Sequence, residues 1–528
     1  MWLIDTNTLE LKEFSSPPAK FAMLSHTWDS DEVTFQQFQK PHEAQYQQGY
    51  RKIEHTCEEA RRQKIPYAWV DTCCIDKTNS AELTESINSM FTWYAKSFIT
   101  YVFLMDLMTD PKVTLTTKTL KSCRWFTRGW TLQELVASRS VEFYDANWVL
   151  RGTKASLRPL LATTTGIDEK VLKNSSYLSS IPVAQRMSWA SRRVTTRLED
   201  QAYCLLGIFQ VHMPLIYGEG NNAFIRLQEA IIEEVNDLSL FAWRSNAHQS
   251  TQKYRGMLAS SPAEFADAGN IQRVRDGRLS DEFAVTNKGL RMHSGLSRDS
   301  DILSLDCFVS TKRKKKYLGI HVDKHGADLY ARVQPACLAL LEERSYEAAE
   351  LFYISKTILP ALSSTLERGK NLQGAIAFKR GFQTKLFRPA TMQPKRLWDI
   401  QKELFITKGV PNFTGSILFM SVGSLQRQYL DNQAFLVVCG MGMNDKEPWA
   451  TIVPQGKRSD IWELHNDTQV SDMQRMADLA CQGRRSAINI QDPKTKINKL
   501  RVSISQRKFY MDTVSVHCFD LSFSELKQ

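Results

Sequence analysis

The chain has 528 residues, of which 42% are hydrophobic and 24% are charged, and its formal net charge is +11. This composition excludes a disordered or fibrous chain and predicts a globular protein of about two to four domains. The first residues lack the basic lead and apolar stretch of a signal peptide, and no window approaches the ~18 consecutive apolar residues of a membrane span. A cytoplasmic protein without a membrane span is therefore expected.

The cysteines and the basic residues predict neither a metal centre nor a nucleic-acid surface. Ten cysteines occur without repeated C-x-x-C pairs, which indicates reduced thiols in place of a disulfide framework. His55 and Cys57 are two positions apart in a predicted helix, so their side chains point in different directions and no metal site is expected. The densest basic run, Lys312–Lys316, has no interleaved aromatic residue. It predicts a solvated hairpin loop, and no nucleic-acid partner.

The first 150 residues alternate between short apolar runs and amphipathic stretches. Between the runs, apolar residues recur at helical spacing, and Asn79 followed by Glu82 resembles a helix start. This alternation predicts an α/β domain with a parallel sheet covered on both faces. The predicted strands are Phe21–Ser25, Tyr67–Val70, Ile99–Leu104 and Val141–Tyr144.

Polar side chains follow three of the predicted strands. Ser25 and His26 end the first strand, the cluster Asp71–Asp76 follows the second, and Asp106 follows the third. Ligands of parallel sheets bind in the crevice at the carboxyl ends of the strands. These clusters therefore predict a binding site at that edge of the sheet.

The stretch Arg124–Leu135 combines two tryptophans, two arginines, a glycine and a carboxylate before the fourth strand. Its second half, from Thr131, predicts a short helix. Trp130 and Glu134 are one turn apart, so their side chains can share a face that points at the crevice.

Four blocks of this region resemble the fungal heterokaryon-incompatibility (HET) domain. This resemblance implies a role in non-self recognition with cell death, and it assigns the HET domain to residues 1–150. The segment from Arg186 to Gly220 resembles the region C-terminal to that domain in many filamentous-fungal members. The blocks are Leu24–Trp28, Trp69–Lys77, Ile87–Tyr94 and Arg124–Leu135.

HET domains are themselves similar to Toll/interleukin-receptor (TIR) domains, which have a flavodoxin-like parallel sheet. The similarity implies an NAD+-cleaving site, because Trp130 to Glu134 fits the Trp-x-x-x-Glu block of that superfamily, with Thr131 where many members have cysteine. Glu134 is then the catalytic residue, and NAD+ is a substrate, with no cofactor. The predicted substrate-binding residues are Ser25, His26, Trp28, Asp71, Trp125, Arg128 and Trp130.

Other interpretations of the same residues remain open. Glu134 also fits the role of a first-turn carboxylate that the helix dipole stabilises. His26 also fits a structural residue whose hydrogen bonds are satisfied, and Asp71 also fits a residue that caps the following loop and helix. Cys73 and Cys74 with His26 suggest a cysteine-dependent hydrolase, although buried thiols explain the pair as well. A non-catalytic adaptor that signals death by self-association through the HET domain, with an unknown incompatibility partner, is the alternative to an enzyme.

The rest of the chain predicts a helical part followed by β-rich parts. Residues 151–240 are expected to form a helical connector packed on the HET domain, in which Thr196–Glu199 predicts a capping box. From Leu240 onward, short β-like runs between polar turns predict β-rich domains at 241–340 and 341–528, as antiparallel sandwiches. Their strands are predicted at Phe283–Thr286, Leu303–Leu305, Tyr317–His321, Arg332–Val333, Gly415–Val422, Ala434–Cys439, Trp449–Val453, Lys499–Ser505 and Asp512–Phe523.

Overall fold

The computed structural model describes residues 1–246, 252–274, 282–294, 296–297, 301–311, 314–343, 350–380, 386–410, 412–422, 433–442, 447–456, 458–466, 470–491, 498–511 and 514–526. The N-terminal part is α/β, as predicted, around one mixed sheet. Its strands are β1 (Trp2–Asp5), β2 (Leu11–Glu13), β3 (Ala22–Ser25), β4 (Tyr67–Trp69), β5 (Ile99–Phe103), β6 (Val141–Tyr144) and β7 (Leu150–Thr153).

The four predicted strands form the parallel centre of this sheet, in the order β4-β3-β5-β6. The edge strands β1, β2 and β7 are antiparallel additions that the sequence pattern did not indicate, so the sheet is mixed and not purely parallel. In chain order the central strands read 2-1-3-4, which places a topological switch point between β3 and β5. Ser25 is the last residue of β3 and therefore lies at this point.

Helices cover both faces of the sheet, and the longest begin where the sequence predicts. In α4 the Asn79 side chain accepts hydrogen bonds from the backbone N–H groups of Ala81 and Glu82, which satisfies two unpaired donors of the first turn. The six helices of this part are α1 (Phe35–Phe38), α2 (Pro41–Ala44), α3 (Gln48–Arg62), α4 (Ser80–Lys96), α5 (Thr117–Ser122) and α6 (Thr131–Ala137).

Helices also dominate the next segment, and they pack on the sheet domain. The predicted capping box at Thr196–Glu199 is wrong: the helix there begins at Asp200 after Glu199, without a side-chain cap, and Glu199 instead accepts hydrogen bonds from Gly218 N and Gly220 N. The helices are α7 (Arg158–Thr165), α8 (Glu169–Lys173), α9 (Val183–Ala190), α10 (Asp200–Tyr203), α11 (Leu206–Phe209) and α12 (Asn222–Glu234).

A ten-stranded sheet comes next, in the order β10-β11-β17-β15-β14-β13-β12, with three short strands attached. Strands β13 and β14 pair antiparallel, as expected for a hairpin, but Lys314, Lys315 and Lys316 of the basic run are the first residues of β14 and pair with β13, so the predicted loop is wrong for these three residues. Lys312 and Arg313 lie outside the described residues. The strands are β8 (Tyr254–Arg255), β9 (Gln272–Arg273), β10 (Phe283–Thr286), β11 (Gly289–Ser294), β12 (Leu296–Ser297), β13 (Ile302–Thr311), β14 (Lys314–Gly326), β15 (Leu329–Val333), β16 (Ala339–Leu341) and β17 (Glu350–Ile354).

After helix α13 (Pro360–Glu367), a six-stranded and a four-stranded sheet share one apolar core and form a sandwich. One pair, β18 with β27, is parallel, so the sandwich is not fully antiparallel. Residues 512 and 513 of the last predicted strand lie outside the described residues. The elements are β18 (Ile376–Arg380), β19 (Phe387–Gln393), β20 (Trp398–Asp399), β21 (Leu404–Phe405), β22 (Phe413–Ser421), β23 (Ala434–Met441), β24 (Trp449–Pro454), α14 (Ser459–Asn466), α15 (Val470–Cys481), β25 (Ala487–Gln491), β26 (Asn498–Met511) and β27 (Val514–Glu525).

The largest apolar core crosses from the sheet domain into the β-rich part. It joins Ile87 of α4, Leu135 of α6, Phe224 of α12, Trp243 and Ile320 of β14 in one cluster of buried side chains. A second cluster fills the other face of the N-terminal sheet. No helix within the described ranges is both long and apolar enough to span a membrane.

Candidate functional site

The site is built at the carboxyl end of β3, where α6 delivers Glu134 over the switch point. The Ser25 hydroxyl donates a hydrogen bond to Glu134 Oε2, and the Trp125 indole N–H donates to Ser25 Oγ at 2.8 Å. All three side chains are buried, with Glu134 only 6% exposed. Trp125 thus fixes Ser25, and Ser25 fixes the carboxyl group.

Glu134 is a carboxyl group kept in an apolar, acidic environment. Burial raises its pKa to about 8, and the nearby charge of Asp71 acts in the same direction. The Ser25 hydrogen bond, the Arg128 charge and the Tyr94 hydroxyl act in the opposite direction without cancelling that rise. Glu134 is therefore mainly protonated at neutral pH, and a positive charge brought beside it would favour its ionised form.

A second cluster, formed by His26, Asp71 and Trp28, adjoins this carboxyl group. His26 Nε2 lies 3.0 Å from Asp71 Oδ1, and the Trp28 indole N–H donates to Asp71 Oδ2 at 2.9 Å. Burial acts to raise the pKa of Asp71, but the hydrogen bonds and the charges of His26 and Lys77 outweigh it and lower the pKa. Asp71 is consequently an ionised acceptor that orients both rings, and it does not cap a helix.

Cations surround the exposed ring of Trp28. The Lys77 ammonium lies 3.8 Å from the ring centroid and the Arg128 guanidinium 5.5 Å from a ring of the same indole. Arg124 donates to the Trp28 carbonyl at 2.9 Å and pairs with Asp29 at 3.1 Å. Trp28 is the most exposed of the predicted binding residues, so this is the side of the site that faces solvent.

Trp130 occupies a different place from the other predicted site residues. Its indole contacts the Asp200 carboxyl of α10, and this contact acts to lower the pKa of Asp200, which burial raises on balance. Trp130 also packs between the two apolar cores. The structure therefore brings together Ser25, His26, Trp28, Asp71, Trp125, Arg128 and Glu134, and it places Trp130 at the junction with the helical segment.

Two basic residues outside the predicted set support the ends of α6. Arg193 Nη1 donates to the Arg128 carbonyl at 2.7 Å and to Thr131 Oγ1 at 2.9 Å, before and at the first turn. Lys154 Nζ donates to the carbonyls of Leu135 and Ser138, both at 2.6 Å, at the other end. Sequence spacing carries no sign of these contacts, because both residues lie outside helices and strands, in segments that approach α6 only in the folded chain.

Tyr94 is a further residue that the sequence motifs contained but did not single out. Its hydroxyl donates to the Leu24 carbonyl at 3.1 Å and lies beside Glu134, and burial raises its pKa well above the ordinary value. The position of Tyr94 in the third HET-like block, at helical spacing from Met90, was the signal available.

The thiol pair does not form a nucleophile with His26. Cys73 and Cys74 are buried and contact the Val70 backbone, while the His26 ring lies against the carboxylates of Asp71 and Glu32. Burial raises the pKa of Cys73 well above its usual range, which opposes thiolate formation. Within the described ranges, no group of three His, Cys, Asp or Glu side chains is placed to hold a metal ion.

Fold and site together define an α/β-domain protein with a buried carboxyl group at the switch point of its sheet. Residues 21–115 match the family described as Heterokaryon incompatibility protein (HET), so the chain carries a HET domain, and the resemblance seen in its motifs is confirmed. Residues 222–256 match a family described as a domain of unknown function (DUF8212).

The chain is also similar to individual proteins. It is 46% identical over 280 residues to the vegetative incompatibility protein HET-E-1 of Podospora anserina. The aligned region covers 51% of this chain and 20% of HET-E-1. The chain thus spans about a fifth of the length of this relative. The crystal structure of the wild-type Xerocomus chrysenteron lectin XCL aligns with 28% of this chain and 96% of its own, with 9% identity and a TM-score of 0.17.

Proposed function

We propose that this chain is a fungal incompatibility effector of the cytoplasm, whose HET domain cleaves NAD+ and releases nicotinamide, leading to cell death. The observation that carries the proposal is Glu134, a buried carboxyl group that accepts a hydrogen bond from Ser25 at the switch point between the parallel strands β3 and β5. Strongly perturbed carboxyl groups in such positions are characteristic of active sites.

The order of the central strands supports this proposal. The order 2-1-3-4 matches the first four strands of the flavodoxin-like order 2-1-3-4-5, the fold expected for a TIR-like domain, although the antiparallel β7 takes the place of the fifth strand. The carboxyl ends beside the switch point are where such sheets bind ligands. Glu134, the last residue of the Trp130-to-Glu134 block, lies beside this switch point through its hydrogen bond with Ser25. Relatedness to a vegetative incompatibility protein supports the biological part of the proposal.

Cleavage of NAD+ at its nicotinamide–ribose bond requires one ionised carboxylate and an aromatic surface. As the bond between nicotinamide and ribose breaks, nicotinamide leaves with the bonding electrons, and Glu134 stabilises or accepts the oxocarbenium-like carbon. The positive pyridinium ring of NAD+ promotes ionisation of Glu134. The same ring can stack on the face of the Trp28 indole. Water then supplies the hydroxyl group of the ribose product.

Access to Glu134 requires a rearrangement, because its side chain is sealed. The solvent-facing group is Trp28 with the cations on its ring, Lys77 and Arg128. We propose that substrate binding displaces Lys77 and Arg128 from the Trp28 ring, and that self-association of the HET domain favours this open form.

The decisive experiment measures nicotinamide release from NAD+ by the purified full chain at high concentration. Glu134→Gln keeps the size of the side chain and is expected to lower release by about 100-fold or more. Glu169→Gln removes an exposed first-turn carboxylate of α8 and serves as the matched control, with unchanged release. Equal release by Glu134→Gln and wild type, or none from self-associated wild type, contradicts the enzymatic proposal.

The second candidate is a non-catalytic adaptor that signals through self-association. The burial of Glu134 favours this candidate, because a buried carboxyl group that accepts a hydrogen bond from Ser25 also fits a structural role. On this alternative, cell death on overexpression survives Glu134→Gln and disappears with substitutions that abolish self-association. Loss of death in Glu134→Gln, with self-association intact by light scattering, excludes the adaptor.

A further inference from the structure

A cleft of about 510 Å³ lies between the ten-stranded sheet and the sandwich. Strands β14, β15 and β17 contribute one wall, with Lys324, Tyr330 and Phe352, and β20 contributes Trp398 and Asp399 to the other. The volume is in the range of small-molecule sites, which are commonly found between domains. The cleft shares no lining residue with the Glu134 site.

Two carboxyl groups of the cleft accept no hydrogen bond from any residue that the structure describes. Asp301 and Asp328 line the cleft, and no hydrogen bond or ion pair from the described part of the chain reaches either carboxyl. Their surroundings contain further acids: Lys402 Nζ donates to Asp399 Oδ2 at 2.8 Å and also bonds Asp323, so that one ammonium serves two carboxylates.

The remaining cations do not balance these acids. The Lys324 ammonium is buried and donates to two backbone carbonyls, of Trp398 at 2.9 Å and of Lys395 at 3.4 Å. The Lys395 side chain is exposed at the rim. Among the described residues, Asp301, Asp328 and Asp399 line the cleft together with Lys324 and Lys395, and the low-dielectric walls focus the negative potential of the surplus acid.

The state of Asp301 reports this potential. Burial raises its pKa to about 7, and the charges of Asp399 and Asp323 act in the same direction, against Lys402 and Lys324. A positive charge placed in the cleft would offset both influences. The position thus favours a cation over an anion.

The walls also suit an apolar body. Tyr330 and Phe352 pack edge to face with ring centroids 5.5 Å apart, and the Lys324 ammonium over the Tyr330 ring, at 5.5 Å, shows that this surface accepts a cation. The Trp398 indole N–H is buried without a hydrogen-bond acceptor among the described residues. An oxygen atom of a ligand in the cleft is a suitable acceptor for such a donor.

We propose that this cleft binds a small organic cation, with a primary ammonium on an aromatic or alkyl body that carries an oxygen acceptor. The ammonium pairs with Asp301 and Asp328, and the body packs against Tyr330 and Phe352. The oxygen accepts the Trp398 N–H. A ligand held in this way joins the two β-rich units, because its contacts come from both.

Isothermal titration calorimetry on the full chain tests the proposal, with tyramine as the probe. Tyrosol is its neutral counterpart, with a hydroxyl in place of the ammonium, and we expect it to bind at least tenfold more weakly. Asp301→Asn and Asp328→Asn should each weaken tyramine binding about tenfold or more. Both positions have a left-handed backbone, with φ of 48° and 51°, which asparagine tolerates, so the variants should fold.

The control variant is Asp267→Asn, an exposed carboxylate outside the cleft, with unchanged affinity expected. Tyramine affinity of the wild type should rise about tenfold from pH 6 to pH 8 as Asp301 loses its proton, and this rise should be absent in Asp301→Asn. Absence of tyramine binding at millimolar concentration, equal binding of tyrosol, or unchanged affinity in Asp301→Asn each overturns the proposal.

Discussion

At the scale of single residues, the site depends on a carboxyl group whose ionisation opposes folding. Glu134 is 6% exposed, and its hydrogen bond from Ser25 does not compensate for the lost hydration of a negative charge. The folded state therefore holds its proton up to a pH of about 8, whereas the unfolded chain releases it near 4.5. An enzyme gains from this arrangement if its substrate carries the positive charge that ionises the carboxyl group.

The unfolding free energy of the protein should depend on pH because Glu134 keeps its proton in the folded state. Between pH 4.5 and about 8 the folded state binds one proton more than the unfolded state at Glu134, so the unfolding free energy falls as the pH rises. Glu134→Gln lacks this dependence. Its stability relative to wild type should grow between pH 5 and pH 8, by up to about 1.4 kcal/mol per pH unit. Urea denaturation across this pH range measures the difference.

Glu169→Gln is the control for this pH series, since an exposed carboxylate should leave the pH dependence of wild type unchanged. A stability difference between Glu134→Gln and wild type that stays constant from pH 5 to pH 8 would show that Glu134 is ionised throughout, and would remove the physical argument for its role.

At the scale of elements, a glycine sets the distance between α11 and α4. A Cβ atom at Gly207 would lie 2.2 Å from Phe91 Cβ and 2.5 Å from Phe91 Cγ, far inside contact distance. Because both helices belong to the packed core, the contact cannot open without displacing one of them. Gly207→Ala should lower the unfolding free energy by about 1–3 kcal/mol, as overpacked cores do.

Thermal or urea denaturation measures this loss, and Gly269→Ala is the matched control. A Cβ at Gly269 meets Ser188 Oγ at 3.5 Å, which is an ordinary contact, so its effect should stay within about 1 kcal/mol. Equal stability of Gly207→Ala and Gly269→Ala would mean that the two helices approach each other less closely than the structure shows.

The local pattern of apolar residues was sufficient to predict strands and helices whose buried side chains follow the spacing of that element. The four central strands, α3, α4 and α6 are present where apolar spacing predicted them, and the Asn79 cap is a local hydrogen bond. Strands β2 and β7 were not predicted because they are the edge strands of the sheet and contain no buried residue. Strand β1 was also not predicted. The capping box failed because Glu199 bonds the distant Gly218 and Gly220.

The residues of the candidate site likewise fall into those that local sequence pattern predicts and those placed by contacts between distant segments. Ser25, His26, Asp71 and Glu134 were predictable because each follows a strand or begins a helix, and parallel topology brings such positions together. The orientation of Trp130 toward Asp200, and the support of α6 by Arg193 and Lys154, depend on packing between segments that are not adjacent in the chain. No spacing rule in the sequence encodes those contacts.

At the scale of the whole molecule, the HET domain and the first β-rich unit share one core. Trp243 lies past the helical segment, and its indole N–H donates to the Met257 carbonyl at 2.8 Å. Arg332 of β15 donates to the Phe241 carbonyl at 2.9 Å, and its guanidinium lies 3.8 Å from the Trp243 ring. Gln228 of α12 exchanges two 2.9 Å hydrogen bonds with the Ala259 backbone. These contacts continue the core beyond residue 240.

A fragment of residues 1–240 should therefore be much less stable than one of residues 1–369. The shorter fragment loses Trp243 and Ile320 from the largest apolar cluster and exposes the surface of α12 that packs against β10. We expect 1–369 to unfold in one cooperative thermal transition, and 1–240 to bind a hydrophobic dye and unfold broadly at lower temperature. Equal transition temperatures and cooperativity in the two fragments would show that the core closes at residue 240, and that the sheet of β8 to β17 is a separate folding unit.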